Sequence, residues 1–486
     1  MRRTLQIATS LSCLACTAAR VPVVDASAHI SIGPPLSEVD ERFLSVAVDA
    51  GQVVGTKFWD AGAAAYDFSR PRLLRLAREL APAYLRIGGT DADRIYYDMG
   101  NKPLAAPSPY SAVLTRAQWD AAGDFARAAG FSLFFTLNAG RGPRDSSGSW
   151  RPDNARALLE HARERGDPVA LWELGNELNG FLIMHGLVVG AQQYARDLAA
   201  ARALIDEADP GALLGGPAVA YWPVLGEFFP FLENTLGAGG GGPLDVVTWH
   251  FYPQQSRRCP MATRRAGLEV LLSPKNLDEV GRWAAAVEQQ RDAAAPGKQV
   301  WLGETGSAQC GGEPGVSDAF ASGFWWVDEL GQMARRGEPV VVRQSLSGSD
   351  YGLLDDVTLS PRPDYWVSVL WKRLMGTVAL QVEALGHPLL RVYAHCARGR
   401  PGAVAMAFAN LDTLPVSLHL PGGAGELYEL TADSLSAREL RLNGVALAAA
   451  PDGSLPPLSP RAIAAEEIAP RSYGFVVLPD ASADCR

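Results

Sequence analysis

Three things are scarce in this 486-residue chain: basic charge, cysteine and long uninterrupted apolar runs. Lysine and arginine total 44 against 53 aspartates and glutamates, a net charge of −9. A general binder of nucleic acid or of anionic membranes is usually basic, so both partners are disfavoured. A polyanionic substrate stays admissible, because local loop charge can oppose the global sign. Past the N-terminus no stretch reaches the ~20 apolar residues of a membrane helix. The chain has no P-loop, HExxH or GxSxG motif, which removes three familiar phosphate, zinc and serine chemistries. Gly237–Gly242 fits GxGxxG only formally: it follows a helix and precedes a strand, the wrong order for a dinucleotide site, and reads as an αβ loop. Of six cysteines, Cys13 and Cys16 lie close to the N-terminus, leaving Cys259, Cys310, Cys396 and Cys485. An even number permits disulfides in an exported protein; without export, four free thiols is the reading.

What is present is organised. Met1-Arg2-Arg3, a moderately apolar stretch from Leu5 to Ala19, and Ala26-Ser27-Ala28 read as a signal peptide over residues 1–28, giving a periplasmic or secreted protein. Apolar residues make up 48% and charged residues 20%, as in soluble globular proteins. The length suits one large domain plus a smaller one.

Eight strand-like runs follow: Phe43–Asp49, Ala83–Gly88, Phe131–Asn138, Val169–Gly175, Ala212–Gly216, Val246–His250, Gln299–Gly303 and Val340–Gln344. Helix-like segments such as Arg70–Leu80, Arg116–Ala129, Pro152–Arg165 and Tyr194–Ala208 separate them. The alternation implies a parallel sheet, and eight repeats imply a closed (β/α)8 TIM barrel over residues 29–376. An open doubly wound sheet is the rival. After about Thr377 short β-like runs alternate with Pro- and Gly-containing turns, which predicts a C-terminal β-sandwich domain over residues 377–486. Residues 29–40 are expected to add a strand to that sandwich.

Two segments carry the chemistry. Trp172-Glu173-Leu174-Gly175-Asn176-Glu177 and Val300-Trp301-Leu302-Gly303-Glu304-Thr305 are apolar runs ending in a carboxylate. Each reads as a buried strand with Glu177 or Glu304 at its carboxyl end, where a barrel keeps its active site. Strands four and seven face each other across the mouth, so the two side chains can converge as the carboxylate pair of glycoside hydrolysis. Glu173 shares Glu177's facing, lies deeper and is expected to pair with Arg86 or Arg343. A hydrogen bond from His250 or Tyr252, ending strand six, is expected to keep Glu304 ionised; the bland alternative is a packed aromatic at the rim.

WELGNELNG, VVTWHFY, VWLGETGSA and VVVRQSLSGSDYGLLD resemble the heparanase and β-glucuronidase family of glycoside hydrolases, as do FLSVAVDA, YLRIGGTDAD, PDYWVSVLWKRLMGT and RVYAHC. The resemblance covers nearly everything after about Glu41. It implies a barrel with a β-sandwich, retention at the anomeric carbon, Glu177 as acid/base, Glu304 as nucleophile and Asn176 on the sugar's 2-hydroxyl. It also implies a uronate pocket: Asp49 and Thr90 near the reacting sugar, with the Cys310 and Gly311 amides and the Tyr351 hydroxyl on the substrate carboxylate. The family joins the pair matching Cys396 and Cys485 by a disulfide.

Two departures stand out. A glycine of the animal enzymes is replaced by Cys310, so its amide is expected to serve only if φ stays negative. The loop after strand five, Gly216–Trp222, lacks the polar and basic residues that meet a sulfated sugar in those enzymes. Arg257, Arg258, Arg264 and Arg265 instead crowd the loop after strand six, and Arg141 and Arg144 the loop after strand three. Arg257 is accordingly a candidate substrate contact, against ordinary solvated arginines. Cys259 and Cys310 both fall in rim loops and are candidates for a second bridge. The long segment excised from the animal enzymes is missing between Tyr97 and Leu114, so no internal processing is expected.

The reading is a retaining glycoside hydrolase without metal or organic cofactor. It acts on a glucuronic-acid-containing glycan such as heparan sulfate as an endo-β-glucuronidase, and is expected to be monomeric. The alternatives are an exo-β-glucuronidase on smaller glucuronides and, remotely, a non-catalytic carbohydrate-binding protein.

Overall fold

A computed structural model describes residues 27–56, 64–100, 104–464 and 467–485. The leader assigned to residues 1–28 lies outside these, apart from Ser27 and Ala28. Those two open a strand, Ser27–Glu38, in which Ala28 is buried. No helix among the described residues is long and apolar enough to cross a membrane.

Eight strands close a parallel barrel in sequence order: β1 (Leu44–Asp49), β2 (Ala83–Gly88), β3 (Phe131–Leu137), β4 (Val169–Leu174), β5 (Leu213–Tyr221), β6 (Val246–Phe251), β7 (Gln299–Thr305) and β8 (Val341–Arg343). The helices between and after them are α1 (Pro71–Arg78), α2 (Arg116–Ala129), α3 (Asp153–Arg165), α4 (Ala191–Ala208), α5 (Phe231–Thr235), α6 (Glu279–Ala294), α7 (Phe320–Arg336) and α8 (Pro363–Leu374). An open sheet is thereby excluded. Seven strands fall within two residues of the sequence reading. The exception is β5, expected to stop at Gly216. Its register shifts between Pro217 and Val219, and pairing with β6 then resumes to Tyr221. A proline at a bulge interrupts a ladder without ending it, so the loop begins at Trp222. The glycine run also differs from the loop expected: Leu236–Gly240 forms one wide helical turn after α5.

Alternation along the strands sorts the barrel interior into layers. Tyr84, Phe134, Leu171, Val246 and Trp301 pack together as an apolar floor. Two residues further along those strands stand Arg86, Thr136, Glu173 and Thr248, all fully buried. The floor keeps water from below, so this polar layer must satisfy itself.

The second domain is an eleven-stranded mixed sheet. Ser27–Glu38 joins it, antiparallel to Met375–Leu385 and parallel to Val416–His419. One face gathers Ile30, Leu380, Val392, Met406, Phe408 and Val476 into a separate core. The other packs on α7: a Cβ at Gly331 would come within 2.0 Å of the Tyr393 ring. The Cys396–Cys485 disulfide ties the C-terminal segment to this sheet, and Cys259–Cys310 is also bridged. Two disulfides fit a secreted or extracellular setting.

Candidate active site

The site is built around one guanidinium. Arg86, on β2, is fully buried; it donates four hydrogen bonds to three groups, and its Nη2 also lies 3.4 Å from His250 Nε2. Its Nη2 and Nε lie 2.9 and 3.2 Å from Glu173 Oε2, its Nη1 2.6 Å from Glu304 Oε2, and its Nη2 also 2.8 Å from Asn176 Oδ1. Burial works against the charge of Arg86, but Glu173 and Glu304 outweigh it and hold the group protonated. Thr136 Oγ1 and Thr248 Oγ1 donate to Glu173 at 2.8 and 2.7 Å. Glu173 is thus spent on fixing Arg86, and of the two arginines anticipated for it only Arg86 is used. Arg343 pairs with Asp364 instead, at 2.7 Å.

Above this layer the chain after β4 turns sharply. Gly175 has φ +75°, and a Cβ there would strike Leu178 and Ala139 at 2.7 and 2.8 Å; only glycine fits. Asn176 N–H donates to Asp93 Oδ2 at 2.9 Å, and Glu177 N–H to Ala218 O at 2.9 Å. Glu177 itself sits in the left-handed region, φ 53° and ψ 51°, a conformation held by its surroundings at local cost. Asp93 also accepts from Ala139 N–H at 2.7 Å, and burial pushes its carboxyl up to about 7.

Glu304, near the end of β7, accepts at both oxygens: Arg86 on Oε2 and the Tyr252 hydroxyl on Oε1, each at 2.6 Å. Burial alone would raise its pKa. His250, the Arg86 charge and the Tyr252 hydrogen bond outweigh burial and hold the carboxyl below its ordinary value. Tyr252, not His250, is therefore the direct partner of this carboxylate. His250 Nδ1 faces Glu177 Oε1 at 3.2 Å and lies 3.9 Å from Glu304 Oε2. One oxygen of Glu177 and one of Glu304 come within 4.8 Å of each other. The same trio of Glu177, His250 and Glu304 has the makings of a metal site, but a cation there would lie beside the Arg86 charge, which disfavours it.

Around this centre, the Tyr351 ring stacks on Tyr252 at 6.2 Å, and burial pushes its phenol well above the ordinary value. Asp49 Oδ2 accepts from Gln344 Nε2 at 3.0 Å. Thr90 opens the short helical turn Thr90–Arg94 that carries Asp93. Cys310 and Gly311 follow β7 in the rim loop, and both have positive φ, 67° and 82°. The negative φ expected of Cys310 is not found; its φ is positive, and the bridge to Cys259 ties the residue at that position. Arg257 does not join the cluster. Its side chain is 77% exposed and its Nε donates to Glu313 at 2.5 Å. The other rim arginines are likewise engaged, Arg144 with Asp197 and Arg264 with Glu279. Sequence reasoning missed Gln344, Asp93 and the Arg86 contacts to Glu304 and Asn176. A lone arginine inside an apolar strand was the available signal for the last; an uncharged Gln344 gave none.

Residues 37–331 match the family described as "Glycosyl hydrolase family 79, N-terminal domain". The chain is 32% identical to "Heparanase" of Gallus gallus over 521 aligned positions, covering 94% of this chain and 96% of that protein. It is 29% identical to "Baicalin-beta-D-glucuronidase" of Scutellaria baicalensis, covering 92% and 90%. Among solved structures, the fold matches a 4-O-alpha-L-rhamnosyl-beta-D-glucuronidase from Fusarium oxysporum with a TM-score of 0.65 at 17% identity, covering 93% of this chain and all of that one. The chain belongs to glycosyl hydrolase family 79 and is a glycoside hydrolase.

Proposed function

We propose that this protein hydrolyses β-linked glucuronic acid with net retention, Glu304 acting as nucleophile and Glu177 as acid/base. The observation that carries the reading is the unequal dressing of two carboxylates whose nearest oxygens lie within 4.8 Å. Retaining enzymes hold their carboxyls about 5–5.5 Å apart, whereas inverting enzymes leave room for a water at 6.5–9.5 Å. Glu304, neutralised by Arg86 and hydrogen-bonded by Tyr252, is kept as an anion. Glu177 has the His250 contact and, among the described residues, no arginine or lysine partner. In the first step Glu304 attacks the anomeric carbon while Glu177 gives its proton to the departing glycosidic oxygen. In the second, Glu177 takes a proton from water, whose oxygen displaces Glu304. Asn176 spends Oδ1 on Arg86 and leaves Nδ2 for the sugar's 2-hydroxyl.

The substrate carboxylate is received by the Cys310 and Gly311 amides and the Tyr351 hydroxyl, with Asp49 and Thr90 lining the reacting sugar. Similarity to an enzyme named heparanase supports endo cleavage of a heparan-sulfate-type glycan. One observation favours exo action on smaller glucuronides. The rim arginines are engaged within the protein, and the loops after β4 and β5 expose Leu182, Ile183, Phe228 and Phe229 instead. Export by way of the leader at residues 1–28 completes the reading.

Glu304→Ala is expected to abolish turnover, with azide restoring it as the inverted α-glucuronosyl azide. Glu177→Ala is expected to hurt substrates with poor leaving groups most. An alanine variant with near-normal activity on a natural glycan, or inverted product from the wild type, would overturn the assignment. Heparan sulfate and an aryl β-glucuronide, followed separately by polymer size and aglycone release, distinguish endo from exo action.

A further inference from the structure

Three consecutive residues of the loop after β6 each grip the loop after β7. Arg257 donates to Glu313 through its amide at 2.8 Å and its Nε at 2.5 Å. Arg258 donates through Nη1 to Gly312 O at 2.9 Å and through Nη2 to Asp350 Oδ2 at 2.5 Å. Cys259 is bonded to Cys310. Arg265 braces the strap from behind, its Nη1 donating to Ser256 O and Cys259 O at 2.8 and 3.1 Å. Asp350 closes the circuit, its N–H donating to Gly311 O at 2.9 Å.

The gripped segment is unusual. Cys310, Gly311 and Gly312 have successive φ values of 67°, 82° and 84°. Gly312 N–H turns back to Ala308 O. The Cys310 and Gly311 amides have no acceptor among the described residues, although Gly311 is buried. A buried, unpaired N–H needs an explanation, and consecutive amides in a turn make an anion site. Two carboxylates flank it, Glu313 and Asp350. Left unpaired, each would repel a second anion; Arg257 and Arg258 neutralise one apiece. The cysteine addresses a separate difficulty. A Cβ disfavours positive φ, so without a tether Cys310 relaxes away from the conformation that presents the amides.

We infer that Arg257-Arg258-Cys259 is a positioning strap that sets the amides of Cys310 and Gly311 for the substrate carboxylate and cancels the two acidic neighbours. On this view Arg257 and Arg258 act through Glu313 and Asp350, not by touching the sugar. The inference rests on the uronate pocket proposed above.

The test compares two double variants that both lack the bridge, Cys259→Ala with Cys310→Ala and Cys259→Ala with Cys310→Gly. The readout is the kcat/KM ratio of aryl β-glucuronide to aryl β-glucoside. The alanine pair is expected to lose about tenfold or more in this ratio, mostly in KM, since a contact remote from the reacting carbon is made equally in ground and transition states. The glycine pair is expected to recover to within about threefold of wild type, because glycine adopts positive φ untethered. A role confined to stability would lower both melting temperatures and leave the ratios equal, which overturns the inference. Arg258→Met keeps the disulfide, needs no refolded core and is expected to lower the ratio too; an unchanged ratio there also overturns it. Tyr351→Phe distinguishes the levels. If it leaves the ratio unchanged, the uronate pocket itself is misplaced; if only it lowers the ratio, the pocket stands and the strap does not.

Discussion

Tyr252→Phe isolates the electrostatics of Glu304 with the loss of one oxygen atom. Its hydroxyl donates to Glu304 Oε1 at 2.6 Å, and both groups are buried. A hydrogen bond to a charged acceptor contributes about 1.5–3 kcal/mol, and each 1.36 kcal/mol is one pKa unit. Removing it raises the Glu304 pKa, because the bond favours the anion. The acid limb of the pH profile is therefore expected to move up by about one to two pH units. The assay is kcat/KM against pH with a 4-nitrophenyl β-glucuronide. On the proposed assignment that leaving group needs no proton from Glu177, so the acid limb is expected to report Glu304 in the free enzyme. Stability follows the same sign. Glu304 is depressed in the folded state, so its contribution is present above the ordinary glutamate value and fades as pH falls through the folded one. Part of that contribution is expected to be missing from Tyr252→Phe near neutral pH. An acid limb coincident with wild type would refute the argument. A lower plateau with an unmoved limb would mean that Tyr252 orients the sugar and leaves the charge alone.

Tyr351→Phe is expected to lower kcat/KM on an aryl β-glucuronide by roughly 10- to 150-fold, for a lost bond to a charged group, while barely changing any β-glucoside activity. Glu338, buried with burial pushing its pKa up to about 8, binds a proton in the folded state that an ordinary glutamate releases near 4.5. Stability therefore falls as pH rises between those values; Glu338→Gln, whose amide oxygen still accepts from Trp249 Nε1, should raise Tm at pH 8 more than at pH 5, and an equal effect at both would refute this. The Cys396–Cys485 bridge closes 89 residues, so alanine at both positions is expected to cost about 4 kcal/mol by chain entropy, read by denaturant unfolding. Non-reducing digestion should release the linked peptide, and free thiols at both positions would count against export.

The barrel was legible because buried parallel strands are apolar on both faces and stand out between amphipathic helices. Glu177 and Glu304 were legible for a related reason: a carboxylate at the end of such a run has no place in a core. Where the reading slipped, a local rule yielded to its surroundings. Pro217 looks like a strand terminator, but a bulge lets β5 continue to Tyr221. Cys310 looks unable to replace a glycine at positive φ, but the bond to Cys259 holds it there. Arg257 looks like an anion receptor, but Glu313, 56 positions away, takes its charge. Each correction comes from a partner distant in sequence, beyond the reach of spacing arguments.

The polar layer beneath the rim explains how two carboxylates so close together come to differ. Glu173, Glu304 and Asn176 all take hydrogen bonds from Arg86, and Glu173 is further pinned by Thr136 and Thr248. The guanidinium fork is planar and rigid, so fixing it on Glu173 also fixes where its Nη1 meets Glu304. Its Nη2 also comes within 3.4 Å of His250 Nε2, but no contact runs from it to Glu177 among the described residues. Glu177 follows Asn176, but the left-handed turn directs its carboxylate to His250 Nδ1, on the side of the imidazole away from the arginine. The same strand segment thus delivers one carboxylate into the shell as a structural anchor and another beyond it, beside His250. Glu304 reaches the shell from across the barrel. Arg86→Lys keeps the charge and loses the fork; on this argument it should fail to hold Glu304 and Asn176 together, with activity reduced far more than stability.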